Sequence, residues 1–373
     1  MEIISYSTQC IEQDDIDGVI DILKGKYLTQ GKKVEEFEIV LSKYTGAKHA
    51  ITFNSATTAL FSAYTVSGIS QDDEIITTPI SFVATSNMFV TLGAKPVWCD
   101  IKMDGNIDEE KIEELISPKT KAIVTVDFAG KPVNMQKIQK IAKKYDLLLI
   151  DDASHALGSS INNTKIGSMA DMTIFSFHAI KPITTSEGGA ILTDNDDYAK
   201  ELKRIRSHGI TKKELWDSDM SSMGYNFRMT EVAGSLGVTQ MKKLDSFIQK
   251  REAISTYYYE RFKDTKAFST IELDKNTISS RHLFPILLDK SLYPHKEEIF
   301  QSMQKNKINV QVHYKPIYKN SFYIEKFGKV SLPRTEDFFT SEISIPCHQK
   351  MSIEDAKYVA DTLLKILNKY SRQ

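Results

Sequence analysis

Short apolar runs rich in β-branched residues alternate with amphipathic stretches between about residues 46 and 206. The runs predict strands at 49–53, 74–78, 95–101, 121–127, 147–151, 172–177 and 190–194. Between them, apolar residues recur at helical spacing and predict helices at about 56–66, 80–92, 108–116, 134–145 and 196–206. This alternation is typical of an α/β fold with a mainly parallel sheet covered by helices. Because a loop separates the last two runs, we expect an antiparallel or irregular step there.

The pattern changes in the last third of the chain. A long helical segment is predicted over about 229–262, and it is followed by RHLFPILL, a helix near 295–306, INVQVHYKP and a final helix near 353–369. A chain of 373 residues also exceeds what one hydrophobic core usually organises. We therefore expect a large domain over residues 1–245, which includes the N-terminal segment, and a small C-terminal α+β domain over 246–373.

The charge balance argues against a polyanion-binding protein. The chain has 48 Lys and Arg against 49 Asp and Glu, spread along its length. The N-terminus lacks a basic region followed by an apolar run, and no stretch approaches the roughly 20 apolar residues that span a bilayer. We expect a cytoplasmic protein that binds neither nucleic acid nor membrane. Cys10, Cys99 and Cys347 stand alone, which suggests neither a disulfide framework nor a metal site.

Familiar nucleotide and hydrolase motifs are missing from the sequence. No GxGxxG follows a predicted strand, and GKYLTQGKK at 25–33 has the wrong spacing for a P-loop and no Ser or Thr after its lysine. Neither a GxSxG elbow nor an HExxH helix occurs. These absences argue against assigning the chain to the Rossmann oxidoreductases, P-loop NTPases, serine hydrolases or zinc proteases.

The segment FNSATTAL at 53–60 is a candidate phosphate site. A predicted strand ends there and small hydroxylated residues open a helix. The free N–H groups of Ala56 and Thr57, with the positive end of the helix, suit a dianion. The alternative is that Asn54 or Ser55 simply caps the helix.

The segment LLLIDDASHALGS at 147–159 places acids directly after an apolar strand. Asp151 and Asp152 end the run, and His155 follows three residues later. A carboxylate at a buried strand end needs a partner, such as a cation or a protonated ring nitrogen. Capping of the next turn is the competing explanation.

The segment FSFHAIKPITTSEGGAIL at 175–192 is the most informative one. Lys181 lies among apolar residues, is followed by Pro182 and precedes a Gly-rich turn. Partial burial lowers the pKa of a lysine, so its neutral amine becomes available to form a Schiff base. Ser176 adds a hydroxyl that could contact a phosphate. A phosphate site, a strand-end acid and a sheltered lysine together are what pyridoxal 5′-phosphate (PLP) requires from a protein.

These residues resemble the DegT/DnrJ/EryC1/StrS family of sugar aminotransferases, which have PLP fold type I. The similarity extends from YLTQG at 27–31 through NSATTAL, TTPISFVATSN, DDASHALG, FSFHAIKPITTSEGGA, RSHG and GYNFRM to VHYKPIY at 312–318. The resemblance implies a PLP-dependent transaminase that acts as a homodimer with shared active sites. The HAIKPITT and TTPISFVAT segments are similar to members that use L-glutamate to aminate C4 of UDP-2-acetamido-2,6-dideoxy-β-L-arabino-hex-4-ulose in pseudaminic acid biosynthesis.

The resemblance also implies roles for individual residues. Lys181 would form the Schiff base, Asp152 would pair with the pyridine nitrogen, and His155 would support the ring and its oxygen. Phe82 would stack on the ring, Ala56, Thr57 and Ser176 would hold the phosphate, and Asn226 would reach it from the partner subunit. The sugar nucleotide would be lined by Tyr6, Lys26, Tyr27, Leu28, Thr29, Ser55, His178, Arg228, His313, Tyr314, Lys315 and Pro316.

Some alternatives remain at the level of sequence. Arg228 could pair with a local acid, and His313 and Tyr314 could simply pack in the core. Ser186 stands where many relatives have glycine, which leaves the geometry of that turn open.

A dTDP- or GDP-linked keto sugar aminated at C3 or C4 is another possible substrate. PLP-dependent sugar dehydratases share the fold but replace the lysine with histidine, whereas this chain has Lys181. A noncatalytic homologue would have lost the cofactor residues, and an oxidoreductase or glycosyltransferase would not bind PLP.

Overall fold

The computed structural model of the chain describes residues 2–212, 214 and 216–370. Its helices are α1 (Gln13–Lys24), α2 (Lys32–Thr45), α3 (Ala56–Val66), α4 (Ala84–Thr91), α5 (Met135–Lys144), α6 (Asp196–Ile205), α7 (Glu231–Met241), α8 (Leu244–Phe262), α9 (Lys296–Lys305), α10 (Ser321–Phe327), α11 (Pro333–Ser341) and α12 (Ile353–Leu367). Its strands are β1 (His49–Phe53), β2 (Glu74–Thr77), β3 (Lys95–Trp98), β4 (Thr120–Val126), β5 (Leu148–Asp152), β6 (Ser160–Ile161), β7 (Thr164–Lys165), β8 (Met172–Ser176), β9 (Gly189–Thr193), β10 (Ile210–Lys212), β11 (Ser218–Met220), β12 (Phe268–Thr270), β13 (Thr277–Ile278), β14 (Phe284–Leu288) and β15 (Glu342–Ile345).

A seven-stranded sheet forms the centre of the larger part of the fold. Its strand order is β1-β9-β8-β5-β4-β2-β3. The pairs β2–β3, β2–β4, β4–β5 and β5–β8 are parallel, whereas β9 runs antiparallel to both β1 and β8. The predicted α/β fold and the predicted irregular step before the seventh run are therefore confirmed.

The apolar runs form strands because both faces of the sheet are covered. Ile75, Val124, Ile150, Ile174 and Ile191 lie in one buried cluster with residues of α3 and α4. Residues on the opposite face, which include those of β4 and β5, pack against α5 in a second cluster. Burial on two faces explains why these strands are apolar throughout rather than alternating.

One predicted helix is wrong. Over residues 108–116 the chain forms only a short 3-10 turn at Glu113–Leu115. Asp108 accepts a hydrogen bond from the backbone N–H of Glu110, and its other oxygen pairs with Arg334. A side chain that bonds to nearby backbone in this way competes with helix formation. The helix predicted over 80–92 starts later, at Ala84, and the segment 229–262 is divided into α7 and α8.

The C-terminal part is built on a small antiparallel sheet with the order β12-β14-β15. It shares a buried cluster with α8, α9 and α12, and Ile4 from the N-terminal segment joins this cluster. The domain boundary near residue 245 stays a prediction.

Strand ends converge at one edge of the large sheet. The parallel strands β4, β5 and β8 end there with Val126, Asp152 and Ser176, and ligands of such sheets bind at this edge. Within the described residues, none of the helices combines the length and apolar character needed to cross a bilayer. Over the same residues, no cluster of His, Cys, Asp and Glu has a metal-binding arrangement.

Candidate functional site

Asp152 is a buried carboxylate that is held on both of its oxygens. It is the last residue of β5 and is 5% exposed. Its Oδ2 accepts a 2.6 Å hydrogen bond from the hydroxyl of Thr85, and its Oδ1 accepts one of the same length from the hydroxyl of Ser154. Because a donor occupies each oxygen, the side chain of Asp152 keeps a fixed direction at the sheet edge.

Lys181 follows β8 in a turn that packs against apolar residues. Its backbone N–H donates to the carbonyl of His178, and Ile183 behind it is buried. Burial lowers the pKa of the Lys181 amine to about 8, although the charge of Asp152 acts in the opposite direction. Near physiological pH, roughly a tenth to a fifth of this lysine is therefore neutral and nucleophilic, far more than for an exposed lysine.

His155 lies beside this pair with a defined tautomer. Its Nδ1 accepts a 3.3 Å hydrogen bond from the backbone N–H of Ala129, and its Nε2 lies 3.2 Å from the hydroxyl of Tyr314. Burial and the charge of Lys181 hold the pKa of His155 well below its usual range, so the ring is neutral. Since Nδ1 accepts, the proton is on Nε2.

Two further histidines complete the surroundings of Lys181. The ring of His282 lies 4.4 Å from that of His155, and the ring of His313 lies 4.8 Å from that of Tyr314. Burial and the charge of Lys181 lower the pKa values of both, that of His313 to about 3. The lysine is therefore surrounded by neutral imidazoles rather than by competing cations.

The start of α3 presents an anion-binding arrangement. Ser55 caps the helix by accepting from the N–H of Thr58, and the N–H groups of Ala56 and Thr57 have no carbonyl acceptor within the helix. Gly189 keeps β9 close to this helix end, because a Cβ there would lie 2.5 Å from the nitrogen of Ala56. Ser176 ends the neighbouring strand β8 with a buried hydroxyl. These donors suit a phosphate group.

The remaining predicted residues fall into two sets. Tyr6 packs on His313 with ring centroids 5.6 Å apart, and Pro316 is buried beside Tyr314. Phe82, 60% exposed, lies at the start of α4, one turn before Thr85. Lys26, Tyr27, Leu28, Thr29 and Lys315 are exposed, and the described contacts link none of these five to Lys181. His178 is partly exposed, and its backbone carbonyl accepts the hydrogen bond from the N–H of Lys181.

No described contact links Asn226 or Arg228 to Lys181. Asn226 is exposed, and its backbone carbonyl accepts a 3.4 Å hydrogen bond from the side chain of Asn54. Arg228 borders a cavity of about 200 Å³ that is also lined by Glu35, Glu38 and Arg206. Within the part of the chain that the structure describes, Arg228 forms no ion pair, whereas Arg206 is bound by Glu38. The described residues therefore do not show the pairing of Arg228 with a local acid.

Sequence reasoning did not identify several residues of this site. Thr85 and Ser154 fix Asp152, His282 packs on His155, and Ser344 lies 2.8 Å from Nδ1 of His313. Thr85 lies within the recognised TTPISFVATSN segment, which could have drawn attention to it. No sequence signal marks His282 or Ser344, because each reaches the site only through the fold of the C-terminal part.

Asp151 points to the opposite face of β5 from Asp152. Its Oδ1 accepts a 2.7 Å hydrogen bond from Thr125, and burial, together with the charge of Asp152, raises its pKa to about 7. The structure therefore separates the two adjacent acids into a residue of the site and a residue of the sheet interior.

Comparisons with known proteins agree with this geometry. A model of the DegT/DnrJ/EryC1/StrS aminotransferase family matches residues 9–364. Two proteins named UDP-4-amino-4,6-dideoxy-N-acetyl-beta-L-altrosamine transaminase are similar over 99% of this chain and of their own length. That of Campylobacter jejuni subsp. jejuni serotype O:23/36 (strain 81-176) is 51% identical, and that of Helicobacter pylori (strain ATCC 700392 / 26695) is 44% identical.

Solved structures show the same fold. Helicobacter pylori PseC, described as an aminotransferase involved in the biosynthesis of pseudoaminic acid, superposes with a TM-score of 0.96 at 44% identity, covering 99% of this chain and 100% of that one. The PLP form of the putative sugar aminotransferase Spr1654 from Streptococcus pneumoniae superposes with a TM-score of 0.94 at 30% identity, covering 99% of each chain.

Proposed function

Because the chain belongs to the DegT/DnrJ/EryC1/StrS aminotransferase family, we propose that it transfers the amino group of L-glutamate to C4 of UDP-2-acetamido-2,6-dideoxy-β-L-arabino-hex-4-ulose. The observation that carries the proposal is the buried Lys181, with its lowered pKa, beside the fixed carboxylate of Asp152. The substrate rests on relatives that carry the altrosamine transaminase name at 44–51% identity over 99% of both chains.

The residues present fit PLP, the cofactor of this family. The N–H groups of Ala56 and Thr57 and the hydroxyl of Ser176 would hold its phosphate, and Asp152 would face its ring nitrogen. Phe82, which is exposed and lies one turn before Thr85, the hydrogen-bond partner of Asp152, would cover one face of the ring. When bound, PLP supplies an electron-accepting ring that stabilises negative charge on the carbon bearing the transferred amino group.

Lys181 and Asp152 would be the groups that handle protons. The amine of Lys181 takes the proton from Cα of glutamate, and in the second half of the reaction it delivers a proton to C4 of the sugar. The carboxylate of Asp152 keeps a proton on the ring nitrogen. His155, with its proton on Nε2, is a hydrogen-bond donor within the site and supports the ring oxygen.

The sugar nucleotide would enter between the Lys26, Tyr27, Leu28 and Thr29 loop and the His313, Tyr314, Lys315 and Pro316 segment. Arg228 has no acidic partner among the described residues and borders a cavity, so it would take the diphosphate. Tyr6, Ser55 and His178 would complete the lining. All of these side chains except Tyr6 and Ser55 come from loops that follow strands or helices, where substrate specificity usually resides.

We also propose a homodimer in which Asn226 of one subunit reaches the phosphate site of the other. Asn226 is exposed, and Trp216, Met220 and Met223 in the same region are exposed by 84%, 62% and 70%. Apolar side chains this exposed are typical of a surface that a second copy covers.

The proposed function is tested by incubating the purified protein with L-glutamate and a panel of UDP-, dTDP- and GDP-linked keto sugars. We expect 2-oxoglutarate and a C4-amino sugar from the UDP-linked substrate, identified by NMR. A Lys181→Ala protein should lose activity by roughly 10⁴-fold or more. The matched control is Lys143→Ala, which removes an exposed lysine of α5 and should keep full activity. Amination at C3, preference for another nucleotide, or dehydration of the sugar would overturn the proposal.

A further inference from the structure

Residues 279–282 form a buried segment that follows β13 and lies against His155. All four are at most 7% exposed. The hydroxyl of Ser280 donates to the backbone carbonyl of His155, and the ring of His282 lies 4.4 Å from the ring of His155. The N–H of Ala129 meets the same ring at Nδ1. The buried segment therefore contacts both the backbone and the ring of His155.

Ser280 is fixed in this position through both of its polar groups. Its backbone N–H donates at 2.9 Å to the hydroxyl of Ser159, which in turn donates at 2.8 Å to the carbonyl of Gly130. Gly130 also makes room for the contact, because a Cβ there would clash with the hydroxyl oxygen of Ser280 and lie 3.0 Å from the carbonyl oxygen of His155. A change in the backbone of the buried segment would therefore remove Ser280 from His155.

Arg281, between these two contacts, has an unfavourable backbone conformation. Its φ is 49°, in the left-handed region where the Cβ of any residue other than glycine crowds the backbone. Such a conformation persists only where the surrounding structure enforces it, and it is commonest at functional sites. Here it connects Ser280 and His282, the two residues that contact His155.

Helix α8 supplies the contacts that hold Arg281. Glu252 accepts hydrogen bonds from Nε at 2.7 Å and from one terminal NH₂ group at 3.2 Å, and the hydroxyl of Tyr259 accepts from the other NH₂ group at 2.9 Å. The carbonyl of Arg281 accepts a 3.0 Å hydrogen bond from Arg251 of the same helix. A guanidinium bound to a carboxylate at two points has one orientation. We refer to the bonds of the Arg281 side chain to Glu252 and Tyr259 as the clamp.

We propose that Arg281 is a positioning residue whose clamp to α8 enforces the left-handed backbone. That backbone places Ser280 and His282 against His155. The inference rests on the proposed function, in which His155 supports the ring of PLP, and deepens it. A less firmly held His155 binds the cofactor more weakly, although Arg281 itself contacts neither cofactor nor substrate.

The first test compares two substitutions that both remove the clamp. Arg281→Ala keeps a Cβ, which disfavours the left-handed backbone, whereas Arg281→Gly adopts it freely. After dilution of the enzyme loaded with PLP, we expect the rate of PLP loss, followed by absorbance, to rise about tenfold in Arg281→Ala and to stay within about threefold of native in Arg281→Gly. A role in packing alone predicts the opposite order, because glycine removes more atoms. A glycine variant that loses PLP as fast as the alanine variant would overturn the inference.

The second test asks whether Glu252 acts through the backbone of residue 281. Glu252→Ala should speed PLP loss about fivefold in the native chain but little in Arg281→Gly, which does not need the clamp. The matched control is Arg261→Ala, which breaks an exposed pair between α8 and Asp361 and should leave the rate unchanged. An equal effect of Glu252→Ala in both backgrounds would contradict the proposed role of the clamp.

Crystal structures of the variants provide a measurement that needs no turnover. In Arg281→Ala, residue 281 should have a negative φ and the hydroxyl of Ser280 should no longer reach the carbonyl of His155. In Arg281→Gly both features should stay as in the native protein. An unchanged backbone in the alanine variant would refute the inference. If these changes occur but the native protein aminates no sugar, the proposed function fails and the positioning of His155 by Arg281 stands.

Discussion

The hydroxyl of Thr85 donates a 2.6 Å hydrogen bond to Oδ2 of Asp152, and both residues are buried. Thr85 is in the first turn of α4, whereas Asp152 ends β5. A second hydroxyl, that of Ser81, lies 2.7 Å from Thr85 and continues the network. Thr85 precedes Asp152 by 67 positions in the chain. The direction of the carboxylate at the sheet edge is therefore set by a helix that is distant in sequence.

Thr85→Val should impair the site without unfolding the protein, because the substitution keeps the side-chain shape but removes the donor to Asp152. We expect kcat to fall about tenfold, the cost of one hydrogen bond to a charged group. Thr85→Ser keeps the hydroxyl and should stay within about threefold of the native rate. Equal activity of the valine and native proteins in a steady-state assay would contradict this role for Thr85.

The attachment of PLP to the protein stripped of cofactor should depend on pH through Lys181. Below the pKa of about 8 the amine is an ammonium ion and cannot attack, so the rate should rise with pH and level off above about 8. The rate is followed as the growth of the cofactor absorbance after mixing, and borohydride followed by mass spectrometry locates the linkage on Lys181. A rate that continues to rise to about pH 10, where ordinary lysines titrate, would contradict the effect of burial.

The two adjacent acids should respond differently to amidation. Asp152→Asn should bind PLP but lose most turnover, by roughly 10²-fold or more, because a neutral amide cannot hold the ring nitrogen protonated. Asp151→Asn should change kcat much less, since Asp151 points to the sheet interior and contacts Thr125. Steady-state kinetics at saturating PLP distinguish the two. A larger loss in Asp151→Asn would show that Asp151, and not Asp152, makes the cofactor contact.

Mixed dimers should show whether Asn226 acts across the subunit interface. A Lys181→Ala chain and an Asn226→Asp chain together make one doubly altered site and one intact site if the contact is in trans. We therefore expect activity to reappear in the mixture, although both parent homodimers are impaired. Mixed dimers isolated with two different affinity tags provide the sample. If they form and remain inactive, Asn226 acts within its own subunit.

Glu231 should stabilise the loop that precedes α2. It is 1% exposed and accepts hydrogen bonds of 2.9 Å from the N–H of Gly31 and 2.7 Å from that of Lys33. Glu231→Gln replaces one acceptor oxygen with an NH₂ group, which cannot accept a hydrogen bond from the N–H that faces it. We therefore expect a loss of about 1–3 kcal/mol in the free energy of unfolding. The control is Glu36→Gln, which removes only an exposed pair with Lys33 and should cost less than about 1 kcal/mol. Equal values for the two variants in urea denaturation would refute the role of Glu231.

The strands of the large sheet and the central chemical residues could be predicted from the sequence. Each strand is a short apolar run with local boundaries, and its periodicity depends on a few neighbouring residues. Lys181, Asp152 and the start of α3 were recognisable because each lies at or shortly after the end of a strand, within a continuous motif. The segment 108–116 was predicted wrongly, because the side chain of Asp108 bonds to the backbone and to Arg334, a residue far along the chain.

The tertiary structure alone decided which distant residues support these groups. Tyr314 meets His155 across 159 positions of the chain, and Glu342 and Ser344 reach His313 by pairing in the small C-terminal sheet. The tautomer of His155 depends on a single donor, the backbone N–H of Ala129. Local sequence encodes periodicity and burial, but the partner of a buried polar group is selected by the packing of the whole chain, and that packing also determines where each proton lies.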